Sequence, residues 1–251
     1  MKIGIFASGL GGLMISKALR EKLPQYDYIY LGDTKNLPYG NKSQQTIYKN
    51  TVRAVRYLFD KNCVLVILAC NTASSKALRK IQTQWLPKSK YKDRKVLGVI
   101  RPTVESVVKS TKIGLIGTIR TIDSSAYLQE LKKINKNIKL VAKATPKLVP
   151  MIEKGEYKEE ILKNYLLPFK NIETLILGCT HYGILKEKVR KILGPKVKII
   201  VQEDILPYKL KNYLSRHKDI VRKLSKNRTI EILVTKNTKS IKKFSPKLVH
   251  L

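Results

Sequence analysis

Acidic residues are scarce in this chain: 18 Asp and Glu face 51 Lys and Arg across 251 residues, a formal charge of +33. A surplus of that size can serve a nucleic-acid or other anionic partner, because cations that neutralise phosphates release counterions. Yet the sequence has no RNA-recognition signature, helix-turn-helix pattern, zinc finger or run of interleaved aromatics. The lysines are scattered through every amphipathic segment, so a lysine-rich composition with solvated helix faces is favoured over specific nucleic-acid recognition. Such a field still helps to collect an anionic substrate. The densest basic stretch, 209–247, with 13 basic and two acidic residues, is read as a positive face.

Long apolar runs are missing as well. None approaches the ~18 residues that a membrane-spanning helix needs, and the amino terminus enters a strand without the basic and apolar segments of a leader. The expected location is the cytoplasm, with no membrane partner. Cysteine is sparse: Cys63, Cys70 and Cys179 make no disulfide framework, and the lack of a C-x-x-C or His-rich cluster argues against a metal site. Cys63 reads as a small core residue. What remains is an ordinary globular composition, 43% hydrophobic and long enough for one large or two modest domains.

Against this background two short stretches stand out. VLVILACNTASS at 64–75 and LILGCTHYG at 175–183 are apolar runs of the length and character of buried parallel strands. Each ends in a cysteine followed by hydroxyl or amide residues that can cap a helix. Each therefore sets a thiol at the carboxyl end of a strand, the sheet edge where α/β proteins bind ligands. The opening strand recurs too: KIGIFAS at 2–8 is answered by KIGLIGT at 112–118, at nearly the offset that separates Cys70 from Cys179. Two unrelated motifs repeated in the same order point to two similar α/β halves whose cysteines face each other. The expected fold is α/β, built from two similar parallel-sheet domains. Residues 1–95 plus 207–251 form the first domain and 96–206 the second.

Between these landmarks the chain reads as alternating strands and helices. The turn Ser8-Gly9-Leu10-Gly11-Gly12 lacks the G-x-G-x-x-G of a dinucleotide loop and is assigned to a smaller anion. Residues 32–42 form a turn-rich loop in which Pro38, Tyr39 and Gly40 make a rigid edge over a pocket; alternatively Tyr39 is a surface turn aromatic. Glu153 falls in a predicted loop, 146–155. The segment 207–251 is expected to return to the first half as a helix and a final strand near 229–234.

The motifs FASGLGG at 6–12, LPYG at 37–40, ACNTAS at 69–74, LIGTIRTIDSSAY at 115–127, ATPKLVPMIEKG at 144–155 and GCTHYG at 178–183 span nearly the whole chain. In them the sequence resembles the glutamate racemases of the cofactor-independent aspartate/glutamate racemase superfamily. The resemblance implies two pseudo-symmetric parallel-sheet α/β domains with the active site in the cleft between them, interconversion of L- and D-glutamate to supply peptidoglycan synthesis, and no pyridoxal phosphate or other cofactor. Glutamate is then the small-molecule partner, and a homodimer is a candidate assembly.

Racemisation removes the α-proton from one face and delivers another to the opposite face, so one base on each side is the minimal device. Cys70 and Cys179 are the candidate bases; a free thiol is only partly ionised at neutral pH and needs a neighbour that favours the thiolate. His181 is the candidate acid/base partner of Cys179, and the resemblance adds Glu153 on that side. It also marks Ala7, Ser8, Tyr39, Gly40, Asn71, Thr72, Thr118, Thr121, Thr180 and His181 as substrate-binding positions, whose hydroxyl, amide and backbone donors suit two carboxylates; capping is the alternative for several. Two departures bear on this. Ala7 stands where the family has an acidic residue, which removes the expected carboxylate partner of Cys70. Gly183 stands where a proline usually follows GCTHY. The alternatives are a related amino-acid racemase of different specificity, or a catalytically weak protein with a basic binding surface.

Overall fold

A computed structural model describes residues 1–237 and 244–251; residues 238–243, part of the basic stretch noted above, lie outside the described residues. Among the described residues there are ten strands: β1 Lys2–Ala7, β2 Tyr28–Gly32, β3 Cys63–Leu68, β4 Lys95–Gly98, β5 Lys112–Gly117, β6 Lys139–Ala144, β7 Thr174–Gly178, β8 Lys198–Ile200, β9 Ile230–Val234 and β10 Lys247–Leu248. They form two sheets in which every described pairing is parallel, ordered β10-β9-β2-β1-β3-β4 and β6-β5-β7-β8. The four strands β2-β1-β3-β4 and β6-β5-β7-β8 occupy matching places. The repeated sequences KIGIFA and KIGLIG are therefore the two central strands, and the two thiol-bearing runs lie beside them on the same side.

Burial explains why the strand runs are so apolar. All residues of β3 and β7 are buried, because helices cover both faces of each sheet and a strand inside cannot alternate with polar residues. In β1, Ile3, Ile5 and Ala7 face one core cluster and Phe6 the opposite one, the period of two that a strand imposes. The strand β6 is the exception, largely exposed at a sheet edge, and carries Lys139 and Lys143, charges that discourage edge-to-edge pairing. The matching strand β2 is buried because β9 pairs along its other side.

Three local expectations change. The strand β4 pairs with β3 in the first sheet, so on pairing we propose a domain boundary after Gly98 rather than at 95/96. Glu153 lies on a helix, Leu148–Lys154, not in a loop: Pro150 falls in its first turn, where no N–H is required, and Gly155 at φ +74° ends it. The last helix in contact with both halves starts earlier than 207, running Gln202–Arg216 through Pro207, because Leu206, Leu210 and Leu214 at four-residue spacing bury against the helix Gly11–Lys22. No helix among the described residues is long and apolar enough to cross a membrane.

Candidate active site

Both thiols sit one step beyond a buried strand, on extended backbone, at the start of the next helical segment. Cys70 (φ −136°, ψ 119°) precedes the helix Asn71–Lys76, and Cys179 (φ −147°, ψ 133°) precedes the 3-10 segment Thr180–Leu185. Because their parent strands hold equivalent places in the two sheets, the thiols reach one shared cleft. Its lining also includes Ser8, Tyr39, Gly40, Asn71, Thr72, Thr118, Thr180 and His181, with Leu37, Pro38 and Val149 as apolar walls. The free space is about 10 Å³, close to the least that holds one water.

Two of the expected positions lie just behind the lining. The methyl of Ala7 belongs to the core cluster on the helix side of β1, and a Cβ at Gly12 would stand 2.2 Å from it and 2.9 Å from the Tyr30 ring. Thr121 is buried in a triangle of hydroxyls drawn from both halves: Thr72 to Thr118 at 2.9 Å, Thr118 to Thr121 at 3.0 Å and Thr72 to Thr121 at 3.4 Å. Thr118 also caps the helix Ile119–Asp123 by accepting from the Thr121 N–H, so here the capping and the cleft-lining readings hold together.

Tyr39 is not a surface aromatic. It is buried, its ring lies 6.1 Å from that of Phe6, and its hydroxyl donates to Asp33 Oδ2 at 2.6 Å. Burial, with the Asp33 charge beside it, pushes the phenol well up and keeps it a donor. Asp33, itself buried, also accepts from Asn36 and from Thr235 at 2.9 Å, which ties the 33–41 loop to the end of β9. Sequence reading passed over Asp33, whose tie to Thr235 spans 202 residues of chain. Gly40 brings that loop onto the second half: a Cβ there would stand 2.6 Å from Thr118 Cβ.

On the second half a continuous chain leads away from the thiol. Cys179 Sγ lies 3.6 Å from His181 Nδ1, and His181 Nε2 lies 2.7 Å from Glu153 Oε1. A carboxylate oxygen accepts, so Nε2 donates to Glu153, and Nδ1 is the ring nitrogen that faces the sulfur. The same Glu153 oxygen accepts from the Leu10 N–H of the first half at 3.2 Å. One N–H of the glycine turn, which sequence reading assigned to a small anion, thus meets the chain's own Glu153. The turn's glycines permit close approach between the halves. A Cβ at Gly11 would lie 2.4 Å from the Thr180 carbonyl carbon, and one at Gly9 would lie 2.7 Å from Glu153 Oε1. Gly183 has a reason of the same kind, because a Cβ there would meet the buried Glu203 carboxyl at 1.7 Å.

The two thiols have unequal surroundings. Burial pushes Cys70 up, and it is opposed by the N–H groups of Ala73, Thr72 and Ser8 and by the Ser8 hydroxyl, whose Oγ is 3.8 Å from sulfur. Burial pushes Cys179 far above the usual thiol range; one N–H, from His181, opposes it, and the charges of Cys70 and Glu153 add to the rise. A larger cavity of about 640 Å³ lies between the halves elsewhere, lined by Arg79, Arg101, Glu105, Lys209 and Arg216 among others, and contains neither thiol.

Comparison with known proteins gives a consistent set of similarities. Residues 13–202 match the model of a family described as Asp/Glu/Hydantoin racemase. The chain is 40% identical over 222 residues to the glutamate racemase of Aquifex pyrophilus, covering 85% of this chain and 84% of that one. Among solved structures, the glutamate racemase of Francisella tularensis subsp. tularensis SCHU S4, in complex with D-glutamate, is similar with a TM-score of 0.85 and 36% identity, covering 100% of this chain and 95% of the other. The RacE1 isoform of glutamate racemase from Bacillus anthracis gives a TM-score of 0.86 at 30% identity, covering 100% and 97%.

Proposed function

The chain belongs to the Asp/Glu/Hydantoin racemase family, and from that premise we propose that it is a glutamate racemase working through Cys70 and Cys179 as a pair of opposed acid/base groups. The observation that carries the reading is the delivery of two buried thiols, by equivalent strands of two similar sheets, into one cleft. Glutamate enters when the cleft opens and is held with its α-carbon between the sulfurs. A thiolate on one side removes the α-proton, and the thiol opposite gives its own proton to the other face. The product then has inverted configuration and the two sulfurs have exchanged protonation states. No electron sink is needed if the α-carboxylate, which takes up charge as the proton leaves, meets preorganised donors; Asn71, Thr72, Thr118 and Thr180 are suited to that.

Burial holds both thiols up, so each needs a route to its thiolate. On the second half, the Cys179 proton passes to His181 Nδ1 while Glu153 balances the imidazolium charge. On the first half, Ala7 supplies no carboxylate, and the Cys70 thiolate rests on Ser8 and three backbone N–H groups. Loss of a positioned acid or base typically costs ~10²–10⁴-fold, so turnover limited on the Cys70 side is the expected consequence. The role follows as supply of D-glutamate for peptidoglycan in the cytoplasm.

The test is α-proton exchange of L- and D-glutamate followed separately in deuterated water, with Cys70→Ser and Cys179→Ser beside the unaltered protein. Exchange from both enantiomers, each abolished chiefly by a different substitution, is the expected result. Absence of exchange from either enantiomer in the unaltered protein would remove the racemase reading.

A further inference from the structure

Asn71 follows Cys70, is 2% exposed and lines the cleft, yet its Nδ2 is buried without a hydrogen-bond partner. Its Oδ1 is satisfied: the Tyr127 hydroxyl donates to it at 2.7 Å. A primary amide that exchanged the two ends would turn a carbonyl towards the cleft and repel a carboxylate. The orientation therefore decides whether the residue next to Cys70 attracts or repels the substrate.

The orientation is fixed from a distance of three groups. The Leu177 carbonyl, at the end of β7, can only accept, and Gln202 Nε2 donates to it at 3.1 Å. That leaves the second Nε2 hydrogen to point at the Tyr127 oxygen, 3.5 Å away. With its oxygen facing a donor, the phenol sends its single proton to Asn71 Oδ1. Gln202, Tyr127 and Asn71 are all at most 2% exposed, so water does not scramble the order. Burial also pushes the Tyr127 phenol far up, so it stays a donor across the neutral range.

We infer that Tyr127, itself oriented by Gln202, is a positioning residue that turns the Asn71 amide so that its NH₂ faces the cleft and donates to the α-carboxylate of the substrate. The inference rests on the racemase reading above and extends it to residues that touch no substrate. Tyr127 belongs to the helix Ala126–Ile134 of the second half and Asn71 to the first, so the bond that locks the amide joins the two halves. The donor acts on an oxygen whose negative charge grows as the α-proton leaves. Its effect therefore falls on kcat more than on KM.

The experiment uses the full chain with Tyr127→Phe, which deletes one oxygen from a ring otherwise unchanged, together with Asn71→Ala and the double substitution. We expect Tyr127→Phe to lower kcat about tenfold with KM within about threefold, in line with one positioned hydrogen bond. Added to Asn71→Ala it should change kcat by less than about twofold, because Tyr127 acts through that amide. Gln202→Glu, which offers an acceptor to Tyr127 in place of a donor, should lower kcat similarly and stands in if the phenylalanine variant fails to fold. Unaltered kcat in Tyr127→Phe, or losses that multiply in the double variant, would overturn the inference while leaving the racemase reading intact. An unaltered protein that exchanges neither enantiomer would overturn both.

Discussion

Gly11→Ala tests whether contact between the halves assembles the Cys179 side. The new methyl would stand 2.4 Å from the Thr180 carbonyl carbon, 2.5 Å from the His181 nitrogen and 2.6 Å from the Thr180 oxygen. Ordinary carbon contacts lie near 3.5–4.0 Å, so an opening of about 1 Å is required. All three atoms are backbone, and no side chain can rotate away. The 180–181 backbone carries His181 and follows Cys179, so the shift moves the proton acceptor and the thiol relative to the Cys70 side. It also stretches the 3.2 Å bond from the Leu10 N–H to Glu153. A misplacement of about 1 Å can cost ~10²-fold, equivalent to ~2.7 kcal/mol of barrier. Overpacking costs about 1–3 kcal/mol of stability, and opening the cleft relieves part of it. The assay is proton washout from each enantiomer by NMR, with thermal unfolding as the control for folding. Racemisation in the two directions is tied by an equilibrium constant of about one, but washout is not, so the L and D rates are read separately. Gly9→Ala meets a Glu153 carboxylate oxygen that can turn aside, and a smaller loss is expected there. Gly11→Ala with kcat within threefold of the unaltered protein would refute the reasoning.

Two further outcomes are expected. Burial alone would raise the Asp27 carboxyl, but donors from Ser225, Thr229 and Asn227, among them Thr229 N–H at 2.8 Å and Asn227 Nδ2 at 2.8 Å, hold it well below the usual carboxylate range. A carboxyl depressed by folding stabilises above its unfolded value near 3.9 and loses that contribution as pH falls through and below it. Asp27→Asn should therefore cost about 2–3 kcal/mol at neutral pH and flatten the fall in stability below pH ~4; equal acid sensitivity in both proteins by thermal unfolding would contradict it. For the thiols, ultraviolet thiolate absorbance in Cys179→Ser should show Cys70 ionising above the usual ~8.5, and in Cys70→Ser Cys179 should ionise higher still. Cys63, which burial pushes up to about 12, is common to both variants and is subtracted with the double variant Cys70→Ser/Cys179→Ser. A titration near 7 in either variant would sink this ordering.

Much of this frame is legible in the sequence because fully buried parallel strands leave continuous apolar runs. The repeats at 2–8 and 112–118 are the central strands of the two sheets, and the cysteine runs are their equivalent neighbours. The cleft residues marked by resemblance largely meet there; Ala7, Thr121 and Glu153 stand just outside the lining. What escaped depends on contacts across the cleft. Neither spacing nor propensity announces that Gly9 and Gly11 are small in order to admit Glu153 and the 180–181 backbone. Gly183 is explained by Glu203, twenty residues on, and Tyr39 by Asp33 and Phe6. The helical state of Glu153 was hidden by Pro146 and Pro150, which read as turn signals although the second falls where a helix tolerates proline.

Repetition of the frame does not carry repetition of the chemistry. The first thiol draws on donors from its own half, three N–H groups and a hydroxyl, that exist whether the cleft is open or closed. The second relies on His181, whose orientation runs through Glu153 to the Leu10 N–H on the opposite half. Closing the cleft is therefore a larger event for Cys179 than for Cys70. In the proposed mechanism, the acidic residue that the resemblance expects in place of Ala7 is missing from the side whose support is local, while Glu153 belongs to the side that draws on both halves. Under the proposed mechanism, two sheets that share a four-strand order thus hold two acid/base devices of different kinds: one is built into its strand-to-helix turn and the other is completed by the partner half.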